Sequence, residues 1–215
     1  MREFSFLEVL IINHSKVRAL CEGAVLVAIA QVLSYLKIWE MPWGGSVVLS
    51  MVPLVLYAVR WGLGAGLLSG FAFGVLQFMF DGGFAIGWQS ILGDYLVAFT
   101  VLGLAGLVAR RKSGVFTGTL IAGFARFLVH YVVGATVWAE YMPETFFGMT
   151  MHSPWFYSLL YNLAYMLPNI IITLLVFAIA YKPLNKYLTA ADIFPSSAAA
   201  QPKADPTSPK WDPER

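Results

Sequence analysis

Long apolar stretches recur along the chain and are separated by short polar loops. A helix that crosses the hydrocarbon core of a bilayer needs about 20 predominantly apolar residues. Six stretches approach that length and are predicted to be helices: residues 17–36, 46–59, 62–80, 88–109, 115–138 and 154–181. The pattern therefore predicts an all-α integral membrane protein, a compact bundle of six transmembrane helices.

The amino-acid composition agrees with this, because 59% of the 215 residues are hydrophobic and only 12% are charged. Soluble domains carry roughly 25% charged residues, since their outer surface must stay polar. We expect one transmembrane domain at residues 17–189. Residues 1–16 are expected to be an extension that lies on the membrane surface or has no fixed structure. Residues 190–215 are rich in Pro and Ala and are predicted to be disordered, because such a segment buries too little apolar surface to fold.

The charged residues of the loops predict the orientation of the bundle. With six spans, one side carries the basic clusters at residues 16–18, 60, 110–112 and 182–186, and the other side is mostly acidic. The positive-inside rule then places both termini in the cytoplasm of a multi-pass cell-membrane protein, surrounded by membrane lipid. The net charge of +2 and the scattered basic residues give no indication of nucleic-acid binding.

Small residues repeat every four positions in two of the predicted helices. Gly66, Gly70 and Gly74 share one face of the third helix, and Ala24 and Ala28 share one face of the first. Such faces allow another helix backbone to approach closely. They indicate either packing within the bundle or docking onto a partner membrane protein.

Polar groups inside a membrane are costly, and they usually face the interior of a bundle or a cavity. Asp94 lies about two turns into the fourth helix from its outer end. Its carboxylate is suited to bind a cationic or amine-bearing ligand. The alternative is a structural hydrogen bond or ion pair, for example with Arg126.

The fifth helix carries Arg126, His130, Gly134 and Trp138 at intervals of four, so that they lie along one stripe. Taken singly, a buried histidine is usually structural, and a tryptophan near a helix end usually belongs to the interfacial aromatic belt. Together, near the outer end, His130 and Trp138 indicate part of a pocket. Arg126 lies deeper, and we expect it to be a structural cation below that pocket.

The sixth helix begins with an aromatic stripe of Tyr157, Tyr161 and Tyr165. A stripe of this kind usually reflects packing, but Asn162, about a turn and a half inside the helix, is harder to explain in that way. A carboxylate in an aromatic-lined site suits a flat organic cation, through stacking and cation–π attraction.

The loop after the first helix contains Pro42, Gly44 and Gly45 and is predicted to form an ordered turn. Its tryptophans, Trp39 and Trp43, either cap the pocket or belong to the aromatic belt. The sequence shows no metal-binding cluster, nucleophile–base pair or phosphate-binding loop. We therefore expect no cofactor and no enzymatic activity, and energy for any transport would come from a partner or an ion gradient.

An ordered set of short motifs over about residues 17–182 resembles the thiamine-specific substrate-binding (S) components of energy-coupling-factor vitamin transporters. The matching stretches are Met41-Pro42-Trp43-Gly44-Gly45-Ser46 with Met51-Val52-Pro53, Arg60-Trp61-Gly62 with Ala65-Gly66-Leu67, Gln89 through Asp94-Tyr95, Arg126 with His130 and Trp138, and Tyr157-Ser158-Leu159 with Tyr161-Asn162.

This resemblance implies a six-helix fold that holds thiamine near the outer face. It also implies a transmembrane coupling protein and two cytoplasmic ATPases as partners. Asp94 matches the acid that contacts the aminopyrimidine, where some members have Glu, and Ala24 and Ala28 match the docking face of the first helix. The other positions implied to bind substrate are Tyr95, His130, Trp138, Tyr157 and Asn162, with Phe84 in the place of a tyrosine and Trp43 as a candidate for the loop tryptophan of some members.

Other functions remain open at this point. The chain could be an S component for another vitamin, or a membrane scaffold whose glycine faces bind a partner and whose polar residues are structural. A membrane enzyme would need a nucleophile–base pair, for which the sequence offers no candidate. A bound small molecule would distinguish a transporter subunit from a scaffold.

Overall fold

The computed structural model of the chain describes residues 6–42, 44–80 and 85–194, with side chains from His14 onward. Its α-helices are α1 (Phe6–Tyr35), α2 (Met51–Trp61), α3 (Leu63–Phe80), α4 (Trp88–Ser90), α5 (Ala98–Thr100), α6 (Gly114–Thr136), α7 (Pro154–Tyr181) and α8 (Asn185–Leu188). Two short antiparallel hairpins pair β1 (Trp39–Glu40) with β2 (Ser46–Val47), and β3 (Thr145–Phe146) with β4 (Met149–Thr150).

Within the described residues, five helical segments are long and apolar enough to cross a membrane: His14–Tyr35, Leu63–Phe80, Trp88–Val108, Gly114–Thr136 and Pro154–Tyr181. Helix α2 is also apolar but has only 11 residues. At 1.5 Å per residue it is about 16 Å long, roughly half of the hydrocarbon core. The predicted membrane helical bundle is confirmed, although its second helix is shorter than the others.

At both ends of the chain, the described residues differ from the expected domain boundaries. Helix α1 begins at Phe6, so that residues 6–16 continue the first transmembrane helix. At the other end, residues 190–194 form turns, and Ala190 is completely buried. The remainder of the predicted disordered tail, residues 195–215, lies outside the described residues.

The fourth segment, Trp88–Val108, is not a regular α-helix. A π-helix at Ile91–Val97 follows α4, and a 3₁₀ helix at Val101–Val108 follows α5. π-Helical turns are rare and frequently occur at functional sites. The π-helix contains Asp94, the carboxylate that the sequence singles out.

The glycine stripe of α3 packs inside the bundle, against the backbone of the fourth segment. A Cβ atom on Gly66 would lie 2.9 Å from the carbonyl oxygen of Gly103, and one on Gly74 would lie 2.5 Å from that of Tyr95. A Cβ on Gly70 would collide with the carbonyl oxygen of Phe99. The stripe therefore serves packing within the protein, the first of the two readings that the sequence left open.

We expect Gly70→Ala to lower the stability of the protein, because the new methyl group would meet backbone atoms that cannot rotate away. Overpacking of this kind typically costs about 1–3 kcal/mol. Gly64→Ala, in the same helix, is the matched control, since a Cβ there meets nothing within 4 Å. Thermal unfolding in detergent should show a lower midpoint for Gly70→Ala alone, and equal midpoints for the two variants would contradict the packing.

Candidate functional site

A cavity of about 160 Å³ opens between the fourth segment, α6, α7 and the turn of the first hairpin. It is walled mainly by aromatic and polar side chains. The lining residues are Gly44, Gly45, Ser46, Gln77, Asp94, Tyr95, Phe99, Arg126, His130, Gly134, Trp138, Tyr141, Tyr157, Ser158, Tyr161, Asn162 and Tyr165.

Asp94 is the polar centre of this cavity. One carboxylate oxygen, Oδ1, lies 3.0 Å from Nδ1 of His130. The other, Oδ2, accepts hydrogen bonds from Nε1 of Trp138 at 2.8 Å and from Oγ of Ser90 at 3.0 Å. Charge-assisted hydrogen bonds of this type are stronger than neutral ones, so they hold the carboxylate in a fixed orientation.

The hydrogen bonds around His130 determine its protonation. Arg126 donates from Nε to Nε2 of His130 over 3.3 Å, and an arginine nitrogen can only donate. Nε2 must therefore carry the lone pair and Nδ1 the proton, which it donates to Asp94. His130 is thus the neutral link in a chain that runs from a carboxylate through an imidazole to a guanidinium.

The position of Arg126 along its helix suggested that it lies below the pocket, but the structure places it elsewhere. Its side chain lines the cavity, only 7% exposed, and its guanidinium carbon lies 4.3 Å from the centre of the Phe99 ring. The direct pair with Asp94 that the sequence left open as an alternative is replaced by the link through His130. The expectation of a purely structural cation beneath the site was therefore wrong in its location.

Asn162 links α7 to α6 by hydrogen bonds in the wall of the cavity. Its Nδ2 donates to the backbone oxygens of His130 at 3.3 Å and Ser158 at 2.8 Å. Its Oδ1 accepts from the hydroxyl of Tyr165 at 2.8 Å. These bonds fix both the amide and the Tyr165 ring, which forms part of the cavity wall.

The turn between β1 and β2 is held against α7. Gly44 and Gly45 have φ angles of 89° and 68°, which favour glycine, and a Cβ on Gly45 would lie 2.8 Å from the Tyr165 ring. The amide of Asn169 accepts from the backbone nitrogen of Val48 at 2.9 Å and donates to the carbonyl of Ser46 at 2.8 Å. The described residues of this loop agree with the predicted turn, and the hydrogen bonds of Asn169 hold its β2 side against α7.

Six of the predicted substrate-binding residues line this one cavity, although the sequence distributes them over three segments: Asp94, Tyr95, His130, Trp138, Tyr157 and Asn162. Trp43 and Phe84 lie outside the described residues. Ala24 and Ala28 are exposed on α1 and do not line the cavity. The roles of all ten residues in binding and docking stay predictions.

The sequence pattern did not predict several residues that line the cavity or contact Asp94. Tyr165 lies on the predicted aromatic stripe of α7, and that spacing was the signal that could have identified it. Gln77 and Phe99 come from helices in which nothing local marks them. Ser90, one turn before Asp94, is completely buried and orients the carboxylate.

The side chains that line the cavity are suited to binding a small organic cation. No group of three His, Cys, Asp or Glu side chains is placed to hold a metal ion within residues 14–42, 44–80 and 85–194. A fixed carboxylate accepts hydrogen bonds from an amino group, and aromatic walls attract a flat cation. The geometry therefore favours a small, flat, positively charged organic molecule.

A bundle of membrane helices around a carboxylate-centred, aromatic-walled cavity defines a membrane protein that binds small molecules. Residues 20–189 match the family model described as thiamine transporter protein (Thia_YuaJ). The chain belongs to this family.

Individual proteins named as thiamine transporters are similar to this chain over most of its length. Thiamine transporter ThiT of Bacillus subtilis (strain 168) is 32% identical over 196 residues, which cover 82% of this chain and 97% of that protein. Thiamine transporter ThiT of Lacticaseibacillus paracasei is 25% identical over 199 residues, 84% of this chain and 94% of that protein. A solved structure of ThiT from Listeria monocytogenes shares the fold, with a TM-score of 0.71 at 22% identity over 80% of this chain and 98% of that chain.

These matches confirm the resemblance to thiamine-specific S components that the sequence motifs suggested. They also confirm a multi-pass membrane protein with a transport function rather than an enzymatic one.

Proposed function

We propose that this chain is the substrate-binding membrane subunit that captures thiamine at the outer face of the cell membrane. It then delivers the vitamin through an ATP-driven energy-coupling-factor complex. The observation that carries the proposal is the carboxylate of Asp94, held by His130 and Trp138 in an aromatic-walled cavity. The relatives named as thiamine transporters support the choice of ligand.

The chemistry of thiamine fits the two properties of this cavity. The aminopyrimidine carries an amino group that donates hydrogen bonds, and the thiazolium ring carries a permanent positive charge. A carboxylate has about four acceptor sites, so Asp94 can accept a donor from the ligand in addition to its three protein donors. The rings of Trp138, Tyr157 and Tyr161 offer faces for the thiazolium.

The charges at the two ends of the bundle support an outward-facing cavity. The cavity lies where α6 ends and α7 begins, beside the first hairpin. Arg60 and Arg110 lie at the opposite end of the bundle, beside the C-terminal turns. By the positive-inside rule this basic end faces the cytoplasm, with both termini, so the cavity faces outward.

Docking onto the transmembrane coupling protein is assigned to the exposed Ala24 and Ala28 of α1. Small residues one turn apart allow a partner helix to approach closely. Ala24→Trp or Ala28→Trp should therefore abolish most uptake while leaving thiamine affinity unchanged. The control is Ala72→Trp, at an exposed position of α3. Full uptake by both α1 variants would exclude this face as the docking surface.

The proposed function is tested in two stages. Protein purified from its host is analysed by mass spectrometry for a bound small molecule and then titrated with thiamine. Thiamine should be found and should bind stoichiometrically, whereas another vitamin would indicate an S component of different specificity. Uptake of thiamine by membrane vesicles should require ATP and the coupling complex, and uptake without either would refute the proposed energy source.

A further inference from the structure

A fully buried arginine lies at the end of the bundle opposite the cavity. The side chain of Arg60, near the end of α2, has no exposed surface. It donates from Nη2 to Glu22 at 3.1 Å and to Asp192 at 3.0 Å, and from Nη1 to Asp192 at 2.9 Å. The backbone carbonyl of Tyr187 also accepts from Nη1, and the Tyr187 ring lies 3.5 Å from the guanidinium carbon.

These contacts fasten the C-terminal cap, which we define as residues 185–194. Leu188 and Ala190 of the cap are 2% and 0% exposed. The ring of Phe194 packs edge-on against Trp61 with 6.0 Å between centroids, and it lies 3.7 Å from the guanidinium of Arg110. The cap is therefore a packed part of the bundle, joined to α2 and to the loop after the fourth segment.

The charges in this cluster are balanced. Arg60 and Arg18 face Glu22 and Asp192, and Asp192 accepts from Arg18 at 2.6 Å. Burial alone would raise the pKa of Asp192, but its hydrogen bonds with Arg60 outweigh burial and lower it, so that Asp192 is charged at neutral pH. Removal of the Asp192 charge would leave the buried guanidinium of Arg60 compensated by Glu22 alone among the described carboxylates, which weakens the whole arrangement.

The cluster reaches the helix that carries the proposed docking face. Glu22 of α1 binds Arg60 and accepts a hydrogen bond from the hydroxyl of Tyr187 at 3.1 Å. Ala24 follows two positions later, about 200° around the helix, so an inward anchor at Glu22 directs Ala24 outward. Ala28 lies one turn further on the same outward face.

We propose that the C-terminal cap is a positioning element for transport, in which Arg60 and Asp192 fix the cytoplasmic half of α1 so that its outward face meets the coupling protein. This inference rests on the proposed function. The cap lies at the far end of the bundle from the cavity, so its loosening alters docking and leaves ligand binding intact. Arg60 and Asp192 are therefore positioning residues that act through α1.

The test is Asp192→Asn in the full-length chain, which keeps the shape of the side chain and removes its charge. Thiamine affinity, measured by titration of the purified protein, should stay within about twofold of wild type. ATP-dependent uptake and co-purification with the coupling protein should each fall on the order of tenfold, which corresponds to about 1.4 kcal/mol. Glu144→Gln, which neutralises an exposed carboxylate elsewhere, is the matched control and should behave as wild type.

A milder variant keeps the test decisive if Asp192→Asn does not fold. Tyr187→Phe retains the ring over Arg60 and removes only the hydroxyl that binds Glu22. It should likewise lower uptake and co-purification while leaving thiamine affinity unchanged. Unchanged uptake and co-purification in the folded variants would overturn the proposal. A parallel loss of affinity and uptake would also overturn it, because the cap would then only stabilise the fold. If the wild-type chain does not bind thiamine, the proposed function fails, and co-purification alone decides the role of the cap.

Discussion

Replacement of Asp94 by asparagine is expected to weaken thiamine binding by roughly tenfold to several hundredfold. His130 and Trp138 both donate to the carboxylate, from Nδ1 and Nε1. An asparagine has one oxygen and one NH₂ group, so its NH₂ would face one of these donors. The variant therefore loses the negative charge next to a cationic ligand and also creates a mismatched buried donor.

Titration by intrinsic tryptophan fluorescence measures the effect of Asp94→Asn, since the chain contains seven tryptophans. Glu144→Gln makes the same chemical change at an exposed position and serves as the control. Thermal unfolding shows whether the variant is folded. Wild-type affinity in a folded Asp94→Asn protein would mean that the ligand binds elsewhere or is not thiamine.

Trp138→Ala is expected to weaken binding by a similar factor for two separable reasons. The indole ring forms part of the cavity wall, and aromatic pairs contribute about 0.5–1.5 kcal/mol beyond the area that they bury. Its Nε1 also donates to Asp94, and a hydrogen bond to a charged group contributes about 1.5–3 kcal/mol. Trp138→Phe retains a ring and removes only the donor, so it should lose less affinity than Trp138→Ala.

Calorimetry is the appropriate measurement for both Trp138 variants, because they remove a fluorophore. The combination of Trp138→Ala with Asp94→Asn should weaken binding by less than the product of the single effects, since the two side chains share a hydrogen bond. Full multiplicativity would show that the indole acts independently of the carboxylate. Equal affinities of the Phe and Ala variants would assign the whole effect to the lost donor.

The long helices were predictable from the sequence because a helix that crosses the lipid must be a long, continuous run of apolar residues, and such a run is visible locally. Helix α7 has the predicted bounds, and the third, fourth and fifth segments differ from theirs by one or two residues, whereas α1 begins at Phe6, well before the predicted residue 17. Helix α2 begins later than predicted, since Ser46 and Val47 pair with β1 rather than continuing the helix. Hydrogen bonds between Asn169 and the backbone of Ser46 and Val48 hold this hairpin in place. These residues are far apart in the sequence, so no local pattern predicts the contact.

The candidate site was predictable where polar residues recur at helical spacing in apolar segments. His130 and Trp138 were recognised in this way, and the structure brings them to Asp94. The depth of Arg126 was not predictable, because its long side chain reaches His130 from a turn below. The π-helix around Asp94 was not predictable either, since an apolar pattern indicates the length of a helical segment but not its number of residues per turn.

The close contact between α3 and the fourth segment has a consequence for ligand redesign. The carbonyl of Tyr95, the residue after Asp94, rests on Gly74, and the carbonyl of Phe99 rests on Gly70. The backbone that presents the carboxylate is thus set by glycines of another helix, and any side chain added there displaces it. A library that seeks new ligand specificity should therefore keep the α3 glycines and His130 constant and vary cavity-facing positions of α7 such as Tyr157 and Tyr161, which make no hydrogen bond to Asp94 among the described contacts.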